Sequence, residues 1–579
     1  MKRKLYNSMC AVLLAFSTVT ALWTVQAQAT VALTKHNLST TGPGTIKSAE
    51  AEVCVFCHTP HNSRIDPTGS LPLWNRKAST ATYLPYTSTT TKATIGAPTG
   101  SSLLCLSCHD GTIALGELLS RGASRVALSG VDASGFITGP GKLGADLRDD
   151  HPISFKYDAA LVALRGELAN PNSLPAKVKL DANGQMQCAT CHDAHDDTNG
   201  KFLVIPNTSS ALCTTCHTKT NWVSSSHATS ASTWNGLAPD PWPDSTATTV
   251  AANSCENCHK PHSAPSGKWL VNSASEETTC YNCHNGHVAS SAKNIQIEMA
   301  KSSAHPVAAF AGTHDPSEPI VTTTRHVECS DCHNPHQTKA IGTSPPGPLT
   351  GVRGVDINGA EVTSVTREEQ LCFRCHGDST NKPAAPTVRQ IVQTNTRLEF
   401  QTTNPSFHPV AGPRNGDGYS LTVASGLTGA STITCSSCHN NNSGPSNGGT
   451  GANGPHGSNI DNLLERGYAT TNTATESLTT YALCYKCHDR TKVTSGDAHL
   501  FKEHDKHLGK DITCNACHDP HGVSATQGTV ANNSKLINFN SESTAVGGVI
   551  RWVAGNRGAT RTGSCTLACH GKTHNNISY

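Results

Sequence analysis

Residues 188–195 read Cys188-Ala-Thr-Cys191-His192-Asp-Ala-His195, and the chain soon repeats the first part as Cys213-Thr-Thr-Cys216-His217. Two thiols three positions apart lie on one helical turn, with a His presented directly after them. Cys-x-x-Cys-His occurs eleven times in 579 residues, starting at Cys54, Cys105, Cys188, Cys213, Cys255, Cys280, Cys329, Cys372, Cys435, Cys484 and Cys514. A twelfth motif, Cys565-Thr-Leu-Ala-Cys569-His570, has one extra residue between its cysteines. Together they use every one of the 25 cysteines except Cys10.

The chemistry of this spacing is covalent haem attachment. Each first cysteine, with its partner Cys57, Cys108, Cys191, Cys216, Cys258, Cys283, Cys332, Cys375, Cys438, Cys487, Cys517 or Cys569, is expected to form thioethers to the vinyl groups of one haem c. The adjacent His58, His109, His192, His217, His259, His284, His333, His376, His439, His488, His518 or His570 is then the proximal iron ligand. Zinc ribbons need no His at that position, a disulfide scaffold does not explain the histidines, and a thioredoxin-like motif would occur once. Twelve haems c are expected. At Cys565 and Cys569 the wider spacing leaves two free thiols or a local disulfide as the alternative.

The motifs fall into two alternating kinds. One kind carries a further His three places on: His61, His195, His262, His336 and His521, four of them preceded by Pro. Pro455-His456 reads as the same feature displaced by an insertion after Cys435. The other kind often follows Leu or Thr, as in Leu104-Cys105 and Thr279-Cys280. The pairs are thus 54/105, 188/213, 255/280, 329/372, 435/484 and 514/565. Upstream of the pairs lie His36, His151, His227, His305, His408 and one of His499, His504 and His507, with His504 taken as the candidate. Two proximal and two further histidines per pair supply both faces of each iron. A His three places beyond the proximal ligand cannot easily reach the opposite face of its own porphyrin, so it is expected to ligate a neighbouring haem. His287, His314, His326 and His574 are surplus, and only Met186 and Met299 remain as sulfur ligands in the exported chain.

This organisation resembles the doubled-CXXCH multihaem cytochromes of metal-respiring bacteria, over essentially the whole chain beyond residue 29. The resemblance implies low-spin, bis-His haems in a closely packed electron-carrying array. The sequence departs from it at the long gap between Cys108 and Cys188, at the Cys435 insertion and at Cys565.

Composition agrees with a core built by cofactors. Hydrophobic residues are 36% and aromatics 5%, while Gly is 48 and Pro 31, too few large side chains for a conventional core of this length. Lys and Arg number 44 against 42 Asp and Glu, which gives no basic excess for nucleic acid. Lys2-Arg3-Lys4, an apolar run over 9–25 and Ala27-Gln28-Ala29 read as a secretory signal peptide at 1–29. The expected fold is a cofactor-dominated multihaem cytochrome fold, mostly coil with short helices and little β. It comprises six tandem dihaem units at 30–130, 131–222, 223–292, 293–400, 401–492 and 493–579. Longer helices are expected at 158–169 and 498–508, a strand at 201–206, and a flexible loop at 440–457.

The leading functional expectation is an exported electron carrier without catalytic residues or a membrane span, periplasmic or extracellular. Its partners would be redox proteins or extracellular acceptors. A multihaem reductase of the nitrite or hydroxylamine type is the enzymatic alternative, but no motif has its proximal His replaced. A conductive homopolymer joined through His36 or His574 is the structural alternative.

Overall fold

Gly, Pro, Ser and Thr recur every few residues, so helices here are short and end where the motif chemistry ends. The computed structural model describes residues 31–64, 72–309, 313–320, 326–340, 347–380, 382–414, 416, 418–497, 499–557 and 560–578. The export signal read at 1–29, with Cys10, lies outside them. The longest helices, Gly100–His109 and Glu368–His376, both end on a motif histidine. Glu368 and Glu369 occupy the first turn of the second, where the helix dipole favours negative charge. Cys188–Cys191, Cys329–Cys332 and Cys514–Cys517 are single turns. The motifs at Cys54 and Cys435 form 3-10 turns.

The chain divides into two bodies, Met1–Lys219 with His259–Val271, and Thr220–Cys258 with Asn272–Tyr579. In the first, Lys47–Ser48 pairs with Leu128–Ser129 and Phe155–Lys156 with Gln185–Met186, all antiparallel. Its apolar clusters are small: Phe155, Tyr157, Leu161 and Met186 form one, and Val55, Phe56 and Leu118 another. In the second body, two-residue ladders join Ser303–Ala304 to Gly457–Ser458 and Ser406–Phe407 to Gly522–Val523. Its largest apolar cluster is Ile320, Val355, Phe373, Phe400 and Val410. Clusters of this size hold the mostly coil, helix-poor chain expected from the composition.

Four local expectations are corrected. The helix at 158–169 is only Ala159–Arg165, capped by Asp158 and stopped at Gly166, which takes φ 75°. The helix at 498–508 shrinks to His504–Leu508. Residues 201–206 form a turn instead of a strand, because Lys201 and Phe202 adopt positive φ and only Leu203 bridges to His192. The loop at 440–457 is tied down: Asn440 donates to Asn453, and Asn441, fully buried, donates to the Ala452 carbonyl. The strand content concentrates in an antiparallel sheet of Arg551–Arg557, Thr560–Cys569 and Lys572–Ser578.

Candidate metal centres

Each first-kind motif is followed by a return loop that fixes its histidine. After Cys191 the backbone leaves the helix, and His192 is extended with φ −121° and ψ 138°. Its Nδ1 lies 2.9 Å from the Lys201 carbonyl. The same bond recurs from His58 to Pro72, His259 to Trp269, His333 to Pro348, His439 to Asn462 and His518 to Lys535, at 2.6 to 3.0 Å. In all six the accepting residue is followed by Leu or Phe (Leu73, Phe202, Leu270, Leu349, Leu463, Leu536). Five of these apolar residues hold positive φ, a strained backbone for a bulky side chain. The recurring accepting-residue–Leu/Phe dipeptide was visible in the sequence and was missed. An imidazole that gives its Nδ1 proton to a carbonyl keeps Nε2 as the lone-pair nitrogen, which is what a metal needs.

The histidines then meet in twos. In the first body the ring centres of His36 and His109, His58 and His195, His151 and His217, and His192 and His262 are 6.1 to 6.2 Å apart. In the second body the pairs are His227 with His284, His333 with His456, His408 with His488, His439 with His521, His504 with His518 and His507 with His574, at 6.0 to 6.4 Å. Ring planes in these pairs vary from 15° to 75°, so stacking does not set the distance. Two iron–imidazole bonds of about 2.0 Å, each extended by ~1.1 Å to the ring centre, require about 6.2 Å. Burial favours the neutral form of several of these rings. It pushes His217 down to about 3, with His151 adding to the effect, and His439 down to about 4, with His521 adding. His376 is likewise pushed to about 4 by burial, with His305 next in effect. His336 lies 6.2 Å from the Trp222 ring.

The partners follow a rule. The upstream His36, His151, His227 and His408 face the second motif of their own pair, and the further His195, His262, His456 and His521 face the first motif of the pair before. The two are bolted together. The residue preceding the further His offers its carbonyl to the upstream Nδ1: Ala194 to His36 at 3.0 Å, Pro335 to His227 at 2.9 Å, Pro455 to His305 at 2.8 Å, and Pro520 to His408. In the 188/213 pair the Pro261 carbonyl instead accepts the His151 backbone N–H at 2.8 Å.

The cysteines adjoin in sequence order within each body. Inside a pair the second cysteines are neighbours, as with Cys57 and Cys108, Cys191 and Cys216, Cys332 and Cys375, and Cys438 and Cys487. Between pairs the first cysteines meet. Cys105 lies beside Cys188, Cys280 beside Cys329, Cys372 beside Cys435 and Cys484 beside Cys514, and each neighbour raises the pKa of the thiol named first. A cation stands beside several junctions inside pairs: Arg76 by Cys57 and Cys108, Arg374 by Cys332 and Cys375, Lys486 by Cys438 and Cys487.

The family model for the doubled CXXCH motif matches residues 182–221 and 248–289, the 188/213 and 255/280 pairs. No curated protein matches the chain. The paired motif is consistent with a multihaem c-type cytochrome. It indicates covalently bound haem c, and the residues fit that group. Facing imidazoles stand at iron-bridging distance, thiols sit on the preceding turn, and the second body holds a cavity of about 2020 Å³ lined by Cys372, Cys375, Cys435, Cys438, His439 and their counterparts up to His574. That is roughly twice the upper range of an ordinary small-molecule pocket, about 1,000 Å³.

Four sequence assignments sit differently in space. His61 is exposed and, among the described residues, has no ring contact. His36 and His574, proposed as joints between subunits, both face imidazoles of their own chain. At the last motif, Cys565 and Cys569 lie on a strand, where four residues span about 13 Å instead of one helical turn. His570 falls in the following turn, exposed, with φ 49°, while His574 takes the place opposite His507. His504, chosen as the sixth upstream ligand, faces His518, and His499 packs on Tyr419 at 4.8 Å. His61→Ala is therefore expected to leave an all-low-spin ferric spectrum unchanged. A new high-spin signal in that variant would return His61 to the ligand set.

Proposed function

We propose that the chain is an exported dodecahaem c-type cytochrome that carries electrons between redox proteins and extracellular acceptors in anaerobic respiration. The observation that carries this reading is the succession of facing imidazole pairs whose motif cysteines adjoin in sequence order. Haem supplies one-electron exchange between ferric and ferrous iron. The protein's part is to place imidazoles on both faces, which leaves no coordination position for a substrate and argues against a reductase. Carbonyls at Nδ1 orient the rings and raise their donor strength, and two imidazoles hold potentials low relative to His/Met ligation. Among the described residues no helix is long and apolar enough to cross a membrane. Intact mass and electron paramagnetic resonance of the oxidised protein test the reading together. Twelve covalent haems, all low-spin, are expected. Eleven would remove the Cys565/Cys569 site. A high-spin signal near one haem equivalent, with rapid nitrite binding, would instead support a reductase.

A further inference from the structure

Two of the surplus histidines meet beside the motif at Cys329. His314, His326, Glu328 and Asp331 bring one ligating atom each within 4.8 Å of one another. His314 Nδ1 is 3.3 Å from Asp331 Oδ1 and 3.6 Å from Glu328 Oε2, and His326 Nε2 is 4.0 Å from Asp331 Oδ2. Glu328 is 3% exposed, yet neither of its carboxylate oxygens has a hydrogen-bond partner, and neither has His314 Nδ1. A buried carboxylate left in this state is costly. Asp331 is already engaged by Arg374 at 2.8 Å, and Glu276, also buried, receives the backbone N–H groups of His314 and Ser330. His326 Nε2 also lies 2.9 Å from Glu318 Oε2, so four carboxylates, those of Glu276, Glu318, Glu328 and Asp331, gather around the two imidazoles and the Arg374 guanidinium. The other cluster of this kind, Glu399 with Asp519 and His521, belongs to an imidazole pair already described, since His521 faces His439.

We propose that His314, His326, Glu328 and Asp331 form a non-haem site for one divalent first-row transition ion. Two imidazoles with two carboxylates favour such an ion over calcium or magnesium, which take oxygen ligands, and four protein donors make a closed, structural site of the zinc type. Asp331 lies inside the Cys329 motif and Arg374 inside the Cys372 motif, so the ion would add positive charge beside two attachment loops. Its effect on their potentials rests on the haem reading above; the site itself does not.

The test uses the fully haem-loaded chain, stripped with a chelator and titrated with zinc alone. One zinc per chain should survive gel filtration, and His314→Gln and Glu328→Gln should each weaken binding at least tenfold with covalent haem content unchanged. X-ray absorption at the zinc edge of the wild type should show nitrogen and oxygen neighbours with imidazole scattering. Wild-type retention no better than that of His314→Gln and Glu328→Gln overturns the site and leaves Arg374 and the two imidazoles to balance the carboxylates. A sulfur shell around the zinc overturns it equally, whether or not the variants fold.

Discussion

His262→Ala is expected to turn one haem high-spin while all covalent haem is retained. His262 faces His192 across 6.1 Å, so the iron affected is that of the Cys188 motif, not of its own motif at Cys255. Cys188, Cys191 and His192 are untouched, and the Lys201 carbonyl still holds the His192 ring. The vacated side should raise that haem's potential, since axial ligation is a principal lever on it. A step of about 60 mV is tenfold in a one-electron equilibrium, and electron delivery through the array should fall by about that factor. Asp150, 4% exposed and 3.0 Å from His262 Nδ1, gives a graded companion. Asp150→Asn should move the same potential upward by less and keep the iron low-spin. Full delivery and an all-low-spin spectrum in His262→Ala would place His262 outside the ligand set.

Arg76→Met is expected to cost about 3–5 kcal/mol of stability, the largest loss foreseen for a residue that ligates nothing. Arg76 is 1% exposed and meets no carboxylate among the described residues. Its guanidinium donates instead to the carbonyls of Ser107 at 3.0 Å, Leu115 at 2.8 Å and Ala114 at 3.1 Å. These close the loop that follows the Cys105 helix. Losing the fork leaves three buried carbonyls without donors, and a urea titration of the haem-loaded protein would read the shift. The charge is also next to Cys57 and Cys108, so the potentials of the first two haems should fall in Arg76→Met. Arg76→Lys restores charge without the planar fork, and should recover the potentials more fully than the stability. Unchanged unfolding in Arg76→Met would show that water can replace the fork.

Attachment residues were legible because they are contiguous in sequence, and the alternation of motif kinds was legible because it repeats. The expectation that a His three places on serves a neighbour followed from porphyrin geometry alone. Which neighbour did not, since His195 meets His58 only after a chain excursion whose path is set by folding. The Asn440 and Asn441 loop looked flexible because composition reports glycine and cannot report that a buried amide will find a carbonyl eleven residues away. The surroundings of His570 were not legible because its motif reads as a helical turn, whereas the segment is a strand with a register shift between Cys565 and Leu567. Arg76 carried no signal at all: a lone arginine in sequence looks the same on the surface and in a core.

On the proposed haem reading, a first-motif imidazole that meets its partner from the following pair has a consequence for biogenesis. Chains emerge from the N-terminus. The centre at His58 cannot be finished until His195 has appeared, nor that at His192 until His262 has, nor that at His439 until His521 has. Assembly therefore runs as a stitch in which each new segment closes the one before and leaves its own loop open. At the Cys514 motif the partner of His518 is His504, supplied from just ahead of the motif. A chain cut between two pairs would carry one half-ligated iron at its tip, a reactive mark by which unfinished molecules differ from finished ones.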